Sequence, residues 1–190
     1  DDYCDWYLEM AKQRLRSEGA ERTTVQNMLV FVLETALRLL HPMIPFITEE
    51  IWQVLPYTGE TICTAPYPQV NPAWDSPEAT TAIETTIEAT RALRNLKAEL
   101  NIPPGTRLQA AAVASRPEVA DALTANALLI AELARLSDAL GVSSTAPEGG
   151  KWVGKPITGA EILLEIGETV DLGKELERIE KELASITKEI

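Results

Sequence analysis

The sequence predicts a mainly α-helical protein that also contains a small α+β part. Three observations predict this class. Apolar residues recur every three or four positions over most of residues 1–100, which is the helical period. Residues 101–170 instead contain short apolar runs separated by glycine turns, a pattern typical of strands. Residues 171–190 carry a heptad seam. We therefore predict a helical bundle, a small α+β domain and the start of a coiled-coil helix, in that order.

Two helices open the chain. No capping residue precedes the first, over residues 1–16, so we expect it to begin within a longer protein; Gly19 is a typical residue to end it. Its apolar stripe consists of Cys4, Leu8, Ala11 and Leu15. The second helix begins at Thr23, which has capping-box spacing with Gln26. Its predicted buried face comprises Val25, Met28, Leu29, Val32, Ala36, Leu39 and Leu40.

The second helix ends in an elbow, LLHPMIPFITEEIW, over residues 39–52. Pro42 and Pro45 cannot lie inside a helix, so they set a stiff corner before a short third helix. Removing apolar side chains from water is favourable. We therefore predict that other helices bury the apolar residues of the elbow, namely Met43, Ile44, Phe46 and Ile47.

A connector and a long helix complete the predicted bundle. Residues 56–77 contain five prolines, which excludes a regular element over most of this segment. We expect the connector to lie along the bundle, held by its aromatic residues Tyr57, Tyr67 and Trp74. Ser76 is a typical N-cap and Pro77 a typical first residue for the long helix, over residues 77–100.

The α+β domain is predicted from turns and short apolar runs. A strand over 108–113 precedes one or two helices over 118–136, in which the inward residues are Leu128, Leu129, Leu133 and Leu136. Further strands are predicted near 139–144, 151–157 and 160–166, separated by turns at Gly149-Gly150 and Thr158-Gly159.

The heptad seam of the last segment is regular. Its members, spaced alternately by four and three, are Leu172, Leu176, Ile179, Leu183, Ile186 and Ile190. Most other positions are Glu, Lys or Arg, as in a coiled coil. The pattern has no stop signal at Ile190, so we expect the helix to continue beyond this residue.

Composition limits the functional classes. No run of about 18 apolar residues exists to span a membrane, so we expect no membrane partner. Cys4 and Cys63 lack metal-ligand spacing, and the sequence contains only one histidine, so we predict no metal site. We expect both cysteines to be free thiols of a cytoplasmic protein. The net charge of −12 requires any anion site to be a local basic patch.

Four stretches resemble class I aminoacyl-tRNA synthetases of the valine, isoleucine and leucine group. The elbow resembles their anticodon-binding helical domain. Three features resemble the valine-specific members in particular: CDWYLEMAK at 4–12, RALRNLKAELNIPPG at 91–105, and the terminal heptads, which resemble a coiled-coil arm. The elbow alone does not separate the three specificities, whereas the order of all four features favours valine.

The resemblance implies a tRNA-binding, anticodon-recognition role at the C-terminal end of a valine–tRNA ligase. The class I catalytic signatures HIGH and KMSKS are absent, as are the glycines of a nucleotide-binding fold. We therefore expect no catalytic residue and no cofactor in this chain. ATP with magnesium would serve a catalytic domain elsewhere in the parent protein. The resemblance also implies valine-accepting tRNA as partner, no DNA, and a monomeric parent.

Two basic groups are candidates for RNA contacts, because phosphates require Lys or Arg. The first group contains Lys12, Arg14, Arg16 and Arg22, and the second contains Arg91, Arg94 and Lys97. The alternative for the first is a cationic helix end that favours the helix dipole. The alternative for the second is pairing with Glu88 and Glu99. Weaker candidates lie in the coiled coil, where e/g pairing explains them equally well: Lys174, Arg178, Lys181 and Lys188.

Other conspicuous side chains are interpreted as structural. His41 has no nucleophile partner in sequence, so we expect it to cap carbonyls or pack in the elbow. Trp6, Tyr7 and Trp52 could stack on bases, but we expect at least two of the three in the core. Glu49 and Glu50 complement the dipole of the third helix and have no acid/base context.

Two further hypotheses remain open from the sequence. One keeps the synthetase but makes it specific for isoleucine or leucine. The other is a helical and coiled-coil interaction module that docks a protein or self-associates, which the heptad seam and the acidic charge favour.

Overall fold

The structure is a computed structural model that describes residues 2–56 and 59–167. The chain divides into two compact units, Asp1–Asp75 and Ser76–Ile190. The predicted coiled coil, with its candidates Lys174, Arg178, Lys181 and Lys188, lies outside the described residues, and so does Tyr57.

The first unit is helical. A π-helical turn, Asp2–Tyr7, runs into α1, Leu8–Leu15, followed by α2, Ala20–Leu40, and α3, Pro45–Gln53. Only two short 3₁₀ turns follow in the described part of the connector, Ile62–Thr64 and Pro72–Trp74. This confirms the irregular connector that the prolines predicted.

The first helix buries a different stripe from the predicted one. Trp6, Met10 and Ala11 are buried, whereas Cys4 is exposed. The π-helical turn is wider than an α-turn, so the periodicity of an ideal α-helix does not extend back to Cys4. The prediction of Cys4 as a stripe member was therefore wrong.

The second helix begins three residues before the predicted start. Gly19 adopts a φ of 79°, which favours glycine, and ends the preceding turn so that α2 starts at Ala20. Only Val25 and Leu37 of α2 are buried. The predicted face was thus too wide, since Met28, Leu39 and Leu40 are exposed. In the described part of the unit, α1 and α3 pack on α2. These two helices are short, so they cover only part of the 21-residue α2.

The elbow is exposed, contrary to the prediction. Phe46 is 90% exposed, Met43 81% and Ile47 58%. The reason is the register of α3, because its buried face carries Thr48 and Trp52, four residues apart. The neighbouring positions consequently point outward. Trp52 packs with Leu37 and Ile62 in the small core of this corner.

The second unit packs helices on one mixed sheet. Its helices are α4, Pro77–Glu99, α5, Pro117–Ala125, and α6, Ala127–Ala134. Its strands are β1, Ala110–Ala114, β2, Gly141–Ser143, β3, Trp152–Ile157, and β4, Ala160–Glu165. The sheet order is β2-β1-β4-β3, with β1 and β2 parallel and the other pairs antiparallel.

The N-cap of α4 and the turn between β3 and β4 were predicted correctly. The Ser76 hydroxyl accepts the Ala79 N–H and Pro77 is the first residue of α4, as predicted. The hairpin of β3 and β4 turns at Gly159, whose φ is 78°. Of the residues predicted to point inward here, Leu136 is buried, but Leu128 is 68% exposed and the fully buried Ile130 was missed.

The long helix α4 packs with the sheet. We expected it to close a bundle over residues 1–100, but it contacts α5, α6, β3 and β4 in the unit that begins at Ser76. Leu93 and Leu96 are buried in the same core as Ile162 and Leu164 of β4. The structural boundary therefore differs from the predicted one. Within the two described stretches, no helix has the length and apolar character needed to cross a bilayer.

Candidate nucleic-acid interface

The first basic group surrounds the turn from α1 to α2. Gly19 reverses the chain there, and Arg14 reaches Glu21 of the next helix at 3.1 Å. Lys12 pairs with Glu9 one turn earlier. Arg16 and Arg22 are exposed, as are Lys12 and Arg14. The structure thus brings all four cations to one helix–helix turn, with two of them also holding local ion pairs.

The three cations of the second basic group differ in their exposure to solvent. Arg91 and Arg94 are exposed, but Lys97 is only 4% exposed. The Lys97 ammonium donates to the carbonyls of Thr106, Ala134 and Arg135 at 2.8 to 3.0 Å. An ammonium has three donors, and all three are used. Lys97 therefore ties α4 to the end of α6 and is not retained among the residues that we propose to face RNA.

The two carboxylates of the alternative both contact residues outside α4. Glu99 pairs with Lys155, and Glu88 accepts from the backbone N–H and hydroxyl of Thr158. Arg94 donates two N–H groups to the carbonyl of Leu133. Both carboxylates and Arg94 consequently link α4 to other elements of the second unit.

Two cations missed from the sequence complete this group. Burial lowers the pKa of Lys97, and the nearby charges of Arg135 and Arg107 lower it further. Arg107 donates to the Leu136 carbonyl, and Arg135 lies with Arg94 on the rim of the cleft between α4 and α6. They were missed because 38 residues separate Lys97 from Arg135, and no spacing rule connects them.

The aromatic candidates are mostly core. Trp6 and Trp52 are 7% and 4% exposed, which confirms that at least two of the three predicted aromatics are buried. The exposed aromatic pair is a different one. Phe31 of α2 and Trp74 of the connector contact edge to face, with ring centroids 5.2 Å apart, and are 41% and 64% exposed.

A groove beside this pair combines a ring with polar groups. Its lining consists of Asn27, Val30, Phe31, Glu34, Arg38 and Pro56. Within it, Arg38 donates to Glu34 at 2.7 Å and to the Pro66 carbonyl at 2.7 Å. Base recognition uses such a mixture of stacking surface and edge-bonding groups. The groove was not foreseen because α2 and the connector contribute to it from distant positions.

His41 has a partner that the sequence did not reveal. Its Nε2 lies 3.3 Å from Cys63 Sγ, and its Nδ1 lies 2.8 Å from Thr48 Oγ1. Glu49 is near the same ring, so His41, Glu49 and Cys63 meet at this corner of the elbow. The hydrogen bond from Gln53 is the main cause that holds the pKa of Glu49 below its ordinary value, and the hydrogen bonds from Thr61 and Ile62 and the electrostatic interaction with His41 lower it further.

The comparisons with known proteins agree on one family. The profile described as "Anticodon-binding domain of tRNA ligase" matches residues 1–112. The chain is 38% identical over 190 residues to the valine–tRNA ligase of Carboxydothermus hydrogenoformans, covering 100% of this chain and 21% of that protein. It is 38% identical over 184 residues to the Geobacillus stearothermophilus ligase, covering 96% and 21%. The Bacillus subtilis ligase is 35% identical over 191 residues, covering 100% and 22%. The chain thus spans about a fifth of the length of these relatives.

Proposed function

Because this chain belongs to the anticodon-binding domain family of tRNA ligases, we propose that it is the anticodon-recognition region of a valine–tRNA ligase. The observation that carries the proposal is the family match over residues 1–112, which includes the whole first basic group and all of the second except Arg135. The parent reaction would be the ATP-dependent attachment of valine to its tRNA in the cytoplasm. ATP and magnesium would be held by a catalytic domain outside these 190 residues, and the parent would be monomeric.

We propose that the RNA backbone is bound at two places, one in each unit. In the first unit, Lys12, Arg14, Arg16 and Arg22 are exposed around the α1–α2 turn. In the second, Arg91 and Arg94 are exposed on α4, and Arg107 and Arg135 are exposed near the buried Lys97. On a chain of net charge −12, such clusters concentrate the attraction for phosphates locally.

The groove beside Phe31 and Trp74 is the proposed place for an unpaired base. A base can stack on an exposed ring, and stacking is worth about 1–3 kcal/mol per base. Asn27 and Glu34 on the groove wall offer an amide and a carboxylate that can bond base edges. The predicted coiled-coil candidates Lys174, Arg178 and Lys181 remain a proposal for weaker backbone contacts.

Direct binding to transcribed tRNA tests the proposal. Affinity should fall as salt rises, and the double reversal Arg16→Glu with Arg22→Glu should weaken binding about equally for every tRNA and reduce the salt slope. Arg135→Glu should do the same in the second unit. Phe31→Ala should instead reduce the preference for valine-accepting over isoleucine-accepting tRNA. Arg116→Glu, which reverses an exposed cation of the second unit that pairs with Glu118, is the matched control.

Two results would contradict parts of this assignment. Unchanged binding in both reversal variants would reject the basic sites. A stronger affinity for isoleucine- or leucine-accepting tRNA would favour one of the other specificities of the group.

A second candidate function is a protein-interaction module, and the exposed elbow favours it. Met43, Phe46 and Ile47 form exposed apolar surface of the kind found at contact sites. Sedimentation analysis of the intact chain, of a deletion of residues 171–190 and of Phe46→Ser distinguishes the readings. Self-association that either change abolishes, together with no tRNA binding, would support the module over the RNA-binding domain.

A further inference from the structure

Three side chains of different chemistry meet at the corner between α2 and α3. They are His41 at the end of α2, Glu49 in α3 and Cys63 in the following 3₁₀ turn. One ligand atom from each, an imidazole nitrogen, a carboxylate oxygen and a thiol sulfur, lies within 4.8 Å of the other two. Nitrogen, sulfur and carboxylate oxygen together form a donor set typical of zinc sites.

The hydrogen bonds around His41 favour one of its two tautomers. The Thr48 hydroxyl lies 2.9 Å from the Ile44 carbonyl and 3.1 Å from that of Pro45, so its one hydrogen is donated to backbone. Its oxygen must then accept from His41, whose Nδ1 is 2.8 Å away. Nδ1 therefore carries the proton in the neutral ring, and Nε2 carries a lone pair. A histidine that binds a metal has this arrangement, with one nitrogen held by a neighbour and the other free to coordinate.

The lone pair is directed toward Cys63 at a suitable distance. Nε2 and Sγ are 3.3 Å apart. Zinc bonds of about 2.05 Å to nitrogen and about 2.3 Å to sulfur, at a tetrahedral angle, separate the two ligand atoms by about 3.5 Å. Binding would thus require the two atoms to move apart by only a few tenths of an ångström.

The carboxylate oxygen lies within 4.8 Å of the other two ligand atoms, so coordination would draw it inward by about 1 Å. Glu49 Oε2 accepts from the Thr61 hydroxyl at 3.0 Å and from the Ile62 N–H at 3.1 Å, while Oε1 accepts from Gln53. Such partners orient metal ligands, and a carboxylate has about four lone-pair sites. Three donors therefore leave it able to coordinate an ion.

We propose that His41 Nε2, Cys63 Sγ and a Glu49 carboxylate oxygen bind one zinc ion, with water at the fourth position. Binding requires the thiolate, so the Cys63 thiol proton is released to solvent as the zinc–sulfur bond forms. Nitrogen and sulfur donors favour zinc over magnesium or calcium, which prefer oxygen ligands alone. The ion would fasten the Ile62–Thr64 turn to the elbow and is independent of RNA binding.

Cobalt(II) titration of the reduced full chain tests the site, because thiolate coordination gives a charge-transfer band and tetrahedral cobalt gives visible absorption. One equivalent should saturate both bands, and zinc should displace the cobalt. Cys63→Ser should abolish the charge-transfer band, and Glu49→Gln should weaken binding at least tenfold. Cys4→Ser is the matched control, since Cys4 is the other free thiol and is also exposed. It should retain both bands.

A second variant covers the case in which Cys63→Ser fails to fold. His41→Gln leaves both thiols in place, as titration with a thiol reagent can verify, and should also lose tight cobalt binding. Zinc should raise the thermal midpoint of the wild type and of Cys4→Ser, but not that of His41→Gln. Absence of a thiolate band in the wild type, or a band of equal strength in Cys63→Ser, would overturn the proposal.

Discussion

The ammonium of Lys97 lies 2.9 Å from the carbonyl oxygen of Ala134, the last residue of α6. The carbonyls at the end of a helix have no partner within that helix, and a cation there also interacts favourably with the helix dipole. Lys97 of α4 thus donates the hydrogen bond that the terminal carbonyl of α6 lacks within its own helix. The residues that follow α6 depend on this contact as well, since Arg135 offers a second carbonyl to the same ammonium.

Replacing Lys97 by methionine should destabilise the second unit. Lys97→Met keeps most of the buried volume but leaves the carbonyls of Thr106, Ala134 and Arg135 without their donor, so we expect the free energy of unfolding to fall by about 3 kcal/mol. Guanidinium denaturation followed by circular dichroism measures it. Arg91→Met, an exposed change on the same helix, should cost less than about 1 kcal/mol. Equal costs would show that Lys97 has no special structural role.

The Glu49 carboxylate should make the first unit sensitive to acid. Its pKa is lowered in the folded chain, first by the hydrogen bond from Gln53. The carboxylate therefore contributes stability that is fully present above the ordinary value of 4.5 and is lost as the pH falls through the lowered pKa. Urea denaturation at pH values from 7 downward should show a shallower loss of stability below 4.5 for Glu49→Gln than for the wild type. The exposed neighbour, in Glu50→Gln, is the control, and its curve should follow the wild type.

The exposed elbow predicts unusual tolerance of polar substitution. Phe46 is 90% exposed, so Phe46→Ser should change the free energy of unfolding by less than about 0.5 kcal/mol. Val25, at 2% exposure, provides the contrast, since Val25→Ala should cost about 2 kcal/mol through lost burial and a cavity. Thermal and denaturant unfolding of both variants tests this. A cost for Phe46→Ser as large as that for Val25→Ala would mean that the elbow is covered in solution.

The carboxylate of Glu34 joins α2 to α3. Its replacement by glutamine and by alanine should therefore lower the free energy of unfolding by different amounts. It accepts from the Trp52 indole at 3.2 Å and from Arg38 at 2.7 Å. Glu34→Gln keeps an acceptor for the indole and should cost about 1 kcal/mol, whereas Glu34→Ala leaves both donors unpaired and should cost about 2 kcal/mol or more. Denaturant unfolding gives the ranking, and the opposite order would reject the network as a source of stability.

Local chemistry made much of the second unit predictable. The cap at Ser76 and the turn at Gly159 depend on residues within a few positions of each other, and both were placed correctly. The strands were likewise located to within two residues at most ends, since alternation and turn residues are local properties. The resemblance that identified the family also rests on contiguous stretches of sequence.

The predictions that failed concerned which face of an element is covered. Apolar periodicity shows that a helix has an apolar stripe, but not how much of it a neighbour covers, as Phe46 and Leu128 demonstrate. The number, length and register of the packed elements set that coverage. The same reason explains why α4 was predicted to pack in the helical bundle and not on the sheet, because its apolar face could pack against either.

The sequence by itself determined the family, the order of helices and strands, and which residues carry charge. Only the tertiary structure decided which of them meet. It buried Lys97 among carbonyls that arrive from 9 to 38 residues away, and it set Cys63 against His41 across 22 positions. Interactions over such separations depend on the path of the backbone in three dimensions, and no periodicity or spacing in the chain encodes that path directly.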